Sequence, residues 1–284
     1  MVAIEKYHGT GNDFVIVDAA EDVPDRRGFA IELCDRTAGI AHDDSDTTGA
    51  DGILFLALEA EYRPPRVVMT LVQPDGSVAA MCGNGARCAA AWAAERTGAD
   101  EVMIDTPSGT RHAVIDGDEV EIEMGAPTFD PAWVPAEADE PLIETDIEGL
   151  TVTAVNTGVP HAVAFVDDVD EVDIDAVAPA VRHADVFPEG ANVTFASREG
   201  DGYRQRTFER GVEGETRSCG TGAVAVAAVA HRLGHIETGE TVRVSPPGGD
   251  LQVTVGDGES FLRGPAVLDF ETTVSATPPR IHGD

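Results

Sequence analysis

An α+β chain is predicted, built as two pseudo-symmetric, strand-rich halves, each a mixed or antiparallel sheet wrapped around a central apolar helix. Three observations carry this expectation. The phrase MCGNGARCAAAWAAERTG at 81–98 returns as SCGTGAVAVAAVAHRLG at 218–234: a Cys, a Gly-x-Gly, an alanine-rich run, an Arg and a Gly. Both runs are apolar on nearly every face, and a helix of that kind must be enclosed on most sides. Short apolar segments bounded by turn signals surround each run, as strands do. A length of 284 residues fits two domains with substantial cores.

In chain order, FAIELCDR has a helical apolar pattern, and Val67–Gln73 reads as a strand. Ala86–Arg96 is the first enclosed helix. Arg111–Ile115 and Val120–Met124 are strands joined across Asp116-Gly117-Asp118, a hairpin signal. Gly125–Pro141, rich in Pro, Ala and acids and without periodicity, reads as a boundary or surface crossing. Strands resume at Leu150–Asn156, His161–Val166, Ala191–Ala196 and Tyr203–Glu209. Ala223–Leu233 is the second enclosed helix, followed by strands at Thr241–Ser245 and Leu251–Val255. The expected halves are 1–126 with 266–284, carrying Cys82, and 127–265, carrying Cys219.

The charge is strongly one-sided: 52 acidic against 19 basic residues, net −33, with Lys6 the only lysine. Such a field repels nucleic acid and anionic membranes. The acids are interleaved with regular apolar patterns rather than gathered in a tail, which argues against disorder. Adaptation to high salt, where screening tolerates self-repulsion, is the better explanation. No apolar run approaches the ~20 residues that span a bilayer, and the start MVAIEKYHGTGNDF does not read as a signal peptide. The expected compartment is the cytoplasm.

The four cysteines, Cys34, Cys82, Cys88 and Cys219, are no disulfide framework in such a chain, and without a Cys-x-x-Cys no structural zinc site is expected. Cys34 and Cys88 read as small buried hydrophobes. Cys82 and Cys219 differ because a Gly-x-Gly follows each at a helix start. Glycines admit close approach of a ligand, and the open N–H groups and helix dipole favour negative charge. A thiol there is a plausible base or nucleophile, and the adjacent N–H groups can hold a carboxylate. Two such thiols on opposite sides of one carbon acid are what racemisation requires: a thiolate removes the α-proton from one face and a thiol supplies one to the other. The helix dipoles would stabilise enolate-like charge on the α-carboxylate. No cofactor and no metal are called for. A cysteine packed beside a tight turn is the plainer reading of either copy alone.

These residues closely resemble the diaminopimelate epimerase family, cofactor-independent enzymes that interconvert LL- and meso-2,6-diaminopimelate on the lysine pathway. The resemblance runs from KYHGTGNDFVIVD through DGSVAAMCGNGARC, VNTGVPHAV, FPEGANVTFA and TFERGVEGETRSCGTGA to SPPGGDLQVTV and GPAVLDF, most of the chain. It implies a diaminopimelate epimerase-like fold with Cys82 and Cys219 as the acid/base pair. Gly83 and Asn84, with Gly220 and Thr221, would bind the reacting carboxylate. Arg210 would pair with the distal carboxylate and Glu209 would contact the reacting amino group. Asn12 and Asn192 would complete recognition, and His161 with Glu209 would tune the thiols. Gln73 and Val159 stand where the family usually has Asn, both toward the non-reacting end of the substrate. Gln73 can still hydrogen-bond there, whereas the Val159 side chain cannot.

The implied partner is a small molecule, diaminopimelate, rather than nucleic acid or a membrane, with a homodimer left open. A proline or hydroxyproline racemase of the same fold is the alternative that keeps the chemistry; an Arg for a second carboxylate argues against it. A non-catalytic thiol redox or binding protein is the alternative from another class, and a redox protein is expected to carry the missing Cys-x-x-Cys.

Overall fold

The computed structural model describes residues 1–276; the expected extent of the first half to 284 therefore runs partly outside the described residues. The chain divides into two compact units. Unit 1 comprises Met1–Ile122 and the segment from Gly264 onward; unit 2 is Glu123–Arg263.

Unit 1 runs β1 (Val2–Gly9), β2 (Asn12–Asp18), α1 (Arg26–Leu33), β3 (Gly52–Glu59), β4 (Arg66–Val72), β5 (Val78–Ala79), α2 (Gly83–Thr97), β6 (Glu101–Thr106), β7 (Gly109–Asp116) and β8 (Glu119–Glu123). Strands β1 and β2 form a tight hairpin because Thr10 and Gly11 both take positive φ, 53° and 85°, the conformation two-residue hairpin loops favour. Strand β2 pairs parallel with β3, β3 antiparallel with β4, and β4 parallel with β6; β5, β7 and β8 add antiparallel partners. The signal at Asp116-Gly117-Asp118 is a true hairpin, with Gly117 at φ 64° and Asp116 opposite Glu119.

Unit 2 runs β9 (Thr145–Ile147), β10 (Leu150–Asn156), β11 (Pro160–Phe165), α3 (Ile174–Arg182), β12 (Asn192–Glu199), β13 (Gly202–Glu209), β14 (Gly214–Thr216), α4 (Gly220–Arg232), β15 (Thr241–Ser245), β16 (Leu251–Val255) and β17 (Ser260–Pro265). Its pairings repeat those of unit 1: β10 antiparallel to β11, β11 parallel to β12, β12 antiparallel to β13, and β13 parallel to β15. Strand β18 (Val267–Val274) returns to unit 1 and lies antiparallel against β1. Gly125–Pro141 has no strand, but it is not a bare crossing: Thr128 bridges Asn156, and Val134 is buried in the core of unit 2.

The two long helices hold corresponding positions. Helix α2 touches β1, β2, β3, β4, β6 and β7; α4 touches β10, β11, β12, β13, β15 and β16. Residues Ala86–Ala90, Trp92 and Ala93 are buried in α2, and Ala223–Ala230 in α4. The β-branched Val224, Val226 and Val229 lower helix propensity by only about half a kcal/mol each. Full burial of each contributes roughly 1.5–3 kcal/mol, so packing decides. Both helices begin three residues before the periodicity expected, at Gly83 and Gly220 rather than Ala86 and Ala223. The glycines form the first turn instead of preceding it, which puts each cysteine at the N-cap. Helix α2 ends on Gly98 in the left-handed region, φ 66°.

Candidate functional site

Each unit builds its own set of groups around its cysteine. In unit 1, Cys82 is half-buried, with extended backbone (φ −148°, ψ 116°), and its Sγ accepts from the Gly85 N–H at 3.4 Å. A glycine is useful at 85 because an added Cβ would stand 3.3 Å from Leu54 and 3.7 Å from the sulfur. Gly83 and Asn84 are buried in the first turn, where helix N–H groups lack intrahelical acceptors. The Asn84 Nδ2 donates to Asn12 Oδ1 at 2.5 Å, and Asn12 Nδ2 donates to Asp51 at 2.9 Å. Behind Asp51, Arg36 bridges to Asp13, and the ammonium of the buried Lys6 meets Asp13 at 2.8 Å. Burial alone would raise the Asp13 carboxyl; hydrogen bonds from Arg36 and Lys6 override it and hold it at about 2.

Arg87, one turn into α2, is wholly buried. It donates to Thr10 Oγ1 at 2.7 Å and to the Pro265 carbonyl at 3.3 Å, and makes no ion pair among the described residues. Burial lowers its pKa to about 10. Gln73 does not join this network. Its side chain donates to Ser77 Oγ at 2.7 Å across its own turn.

In unit 2, Cys219 is buried at the N-cap of α4 and its side chain makes no cap bond. The Thr221 Oγ1 stands 3.5 Å from its sulfur and 3.0 Å from Nε2 of the buried His161. Burial first, then the charge of Glu209, push the Cys219 thiol well above its ordinary value, against the opposing pull of Thr221 and the Gly222 N–H. Glu209 Oε1 accepts from Thr216 Oγ1 at 2.5 Å. Burial, and secondarily Arg210, lower the imidazole of His161 to about 3, so the ring is neutral near pH 7. The Asn192 Oδ1 accepts from the Arg210 N–H at 2.7 Å, and the Arg210 guanidinium donates to the carbonyls of Glu189 and Gly190, each at 3.3 Å. The Thr221 carbonyl accepts from Thr157 Oγ1 at 2.8 Å, which fixes the first turn next to Gly220.

Asn12, Asn84 and Gly83 thus gather about the start of α2, and His161, Asn192, Glu209, Arg210, Gly220 and Thr221 about the start of α4. Sequence reasoning missed Thr10, Arg36, Asp51 and Arg87 in unit 1 and Thr194, Gln205 and Thr207 in unit 2. The signal for Arg87 is a guanidinium inside an alanine run. For the unit 2 residues it is polar side chains two apart, Asn192-x-Thr194 and Gln205-x-Thr207-x-Glu209, which places each set on one face of its strand. Cys34 and Cys88 are buried, with thiols pushed up to about 12 by burial, as inert packing groups would be. Among the described residues no cluster of His, Cys, Asp and Glu could hold a metal ion, and no helix is long and apolar enough to cross a membrane.

Solved structures share the fold at low identity. A PhzF-family phenazine biosynthesis protein from Bacillus anthracis superposes with a TM-score of 0.68 at 15% identity, covering 96% of this chain and 99% of that one. A hydroxyproline epimerase from Agrobacterium vitis, with trans-4-hydroxy-L-proline bound, gives 0.67 at 17%, covering 96% and 90%. Sequence relatives are much nearer. Proteins named diaminopimelate epimerase from Methanothrix thermoacetophila and Methanocella arvoryzae are each 43% identical over 95% of both chains, and one from Xanthomonas axonopodis pv. citri is 38% identical over 94% of both. The sequence profile of diaminopimelate epimerase matches residues 4–129 and 153–268. With matched helix-start cysteines, a shared fold and near full-length relatives, this chain belongs to the diaminopimelate epimerase family.

Proposed function

We propose that this chain is an isomerase that interconverts LL- and meso-2,6-diaminopimelate without a cofactor, as a step of lysine biosynthesis, with Cys82 and Cys219 as its acid/base pair. The observation that carries the reading is the matched cysteine N-cap: in each unit a cysteine stands at the start of a buried helix, toward which first-turn N–H groups point. A carboxylate held by those N–H groups presents its α-carbon to a sulfur. One sulfur, as thiolate, takes the α-hydrogen; the other, as thiol, delivers a proton to the opposite face; the reverse reaction exchanges the roles. Charge growing on the carboxylate in between is met by preorganised N–H dipoles rather than by water.

Recognition follows the family resemblance. Gly83, Asn84, Gly220 and Thr221 take the reacting carboxylate, Arg210 the distal carboxylate, and Glu209 the reacting amino group, with Asn12, Gln73 and Asn192 completing the contacts. In this reading the sheet of each half wraps its apolar helix and so fixes the cysteine at the helix start. The chain works in the cytoplasm on a small molecule, as a monomer or homodimer. Its acidity suits a high-salt interior, because at molar salt the Debye length is about 3 Å and only neighbouring charges still repel.

The test is α-hydrogen exchange in deuterated water. LL-diaminopimelate should gain one deuterium as it converts to the meso form, and proline and hydroxyproline should gain none. Exchange with proline alone would establish the alternative racemase; exchange with no amino acid would leave only binding.

A further inference from the structure

Behind Cys219 a chain of buried side chains leaves the residue at its carbonyl and comes back to its sulfur. Gln205 Nε2 donates to the Cys219 carbonyl at 3.2 Å and to Thr207 Oγ1 at 2.9 Å. Thr207 Oγ1 lies 3.2 Å from Thr194 Oγ1, which lies 3.0 Å from His161 Nδ1. His161 Nε2 meets Thr221 Oγ1 at 3.0 Å, and Thr221 Oγ1 meets Cys219 Sγ at 3.5 Å. Gln205, Thr207, Thr194 and His161 are all at most 2% exposed. Gly222 leaves room for the chain: an added Cβ would stand 2.5 Å from Gln205 Nε2 and 3.1 Å from Thr207 Oγ1.

Counting hydrogens gives the chain a direction. An amide nitrogen only donates, so Thr207 accepts from Gln205. Its own hydrogen then has one acceptor in reach, Thr194, and the Thr194 hydrogen goes on to His161 Nδ1. A neutral imidazole that accepts at Nδ1 carries its proton on Nε2. That N–H donates to Thr221, and the Thr221 hydroxyl is left to donate to the sulfur. Asn192 Nδ2, also only a donor, lies farther from Nε2 at 3.4 Å and favours the opposite tautomer, which the shorter Thr194 contact at Nδ1 opposes.

We infer that Thr194, Thr207 and Gln205 are positioning residues for proton transfer at Cys219: they lock the tautomer of His161 so that Thr221 donates to the thiolate. The inference rests on the acid/base role proposed above for Cys219. The charged and titratable groups about the sulfur are the Glu209 carboxylate, the neutral His161 and, beyond it, Arg210. Without the Thr194 hydroxyl the ring is free to take its proton at Nδ1. Nε2 then accepts from Thr221, whose hydroxyl turns away from the sulfur.

The experiment uses the full chain in Thr194→Val and Thr207→Val forms, each close in shape and lacking one hydroxyl, with Thr194→Ser as the rescue. Two quantities are read: the pH midpoint for iodoacetamide alkylation of Cys219, located by peptide mapping, and the pH profile of kcat for epimerisation. Loss of one such hydrogen bond should raise both midpoints by about one pH unit, that is about tenfold in rate at a fixed pH below them. Cys82 alkylation and KM should stay within about twofold. Thr194→Ser should restore both midpoints. If both Val forms fold and titrate like the parent, the inference is overturned; so it is if Cys82 shifts equally, which would mean a general loosening. Full activity in Cys219→Ala would instead sink the acid/base role itself, while the alkylation midpoints of the Thr variants, which keep Cys219, would still report on the hydrogen-bond chain.

Discussion

Units 1 and 2 are written on one strand plan, yet they surround their cysteines with different chemistry. The register makes positions comparable one by one. Leu71 pairs with Ala79, three residues before Cys82, and Thr207 pairs with Thr216, three residues before Cys219. Leu54 lies opposite Leu71 as Thr194 lies opposite Thr207. Phe14 is beside Gly52 as His161 is beside Asn192. The four strand members of the polar chain behind Cys219 therefore have apolar counterparts in unit 1: Phe14 for His161, Leu54 for Thr194, Met69 for Gln205, Leu71 for Thr207. Along the helices the contrast reverses. Arg87, a buried cation, occupies the turn that Val224 fills in α4. The lesson is that a duplicated frame supplies equivalent backbone N–H groups while side chains make the two thiols unlike. One sits near a buried guanidinium held by a hydroxyl and a carbonyl, and the other above a neutral relay and a carboxylate.

The largest test of this contrast is activity. Cys82→Ala and Cys219→Ala should each abolish epimerisation, since each removes the only proton carrier proposed for one face. Cys→Ser should keep the geometry and lose most of the rate, because a hydroxyl is a far weaker acid and base near neutrality. A wild-type rate in either Ala form, measured by solvent deuterium incorporation, would break the pairing of the units.

Acid should separate the units next. His161 is neutral in the fold down to about 3, while an unfolded histidine protonates near 6.5. The unfolded chain then binds more protons, so this contribution is complete above about pH 6.5 and is lost as pH falls toward 3, on the order of a few kcal/mol. Asp13, held at about 2, contributes stability present above roughly pH 4 and lost as pH falls through 2. Hydrogen exchange from pH 7 downward should show unit 2 amides losing protection first. His161→Gln should remove that early loss; equal loss in both units would contradict the assignment.

A smaller effect compares two glycines at the same helical position. Gly222→Ala drives a Cβ to 2.5 Å from Gln205 Nε2, whereas Gly85→Ala meets nothing nearer than Leu54 at 3.3 Å. The first should cost about 1–3 kcal/mol and the second less than about 1.5, read as shifts in urea midpoint. An inverted order would mean that the polar chain yields more easily than a leucine. Salt should act on both units alike and least selectively. With net −33, the melting temperature should rise from about 0.1 to about 3 M KCl as the Debye length contracts. A flat or falling curve would point to another cause for the acidity, such as a basic partner.

Parts of this molecule were readable in the sequence for local reasons. The two enclosed helices announce themselves as apolar on every face, and Gly117 marks its hairpin. The repeated phrase locates both cysteines. Other parts depend on pairings far apart in the chain, which no window of residues contains: Val2 lies opposite Val274. Thr194 and Thr207 read as ordinary strand formers, because threonine is common in strands and Val193–Ser197 is buried on both faces, so nothing marks the polar spacing as a site. Gln73 has the right composition for recognition, but Ser77 satisfies it within its own turn. The helix starts were misplaced by three residues because glycine lowers the apparent periodicity where open N–H groups need it.

Lys6 is fully buried, its ammonium shared among Asp13, Thr47 and Gly49. As the only lysine in the chain, it leaves the folded surface without a side-chain primary amine. Reagents that acylate amines should therefore pass over every side chain of the native protein and reach this one only when β1 opens. Slow acylation of this one side chain, located by peptide mapping, becomes a clock for that opening, free of the overlapping signals that numerous lysines give in ordinary proteins.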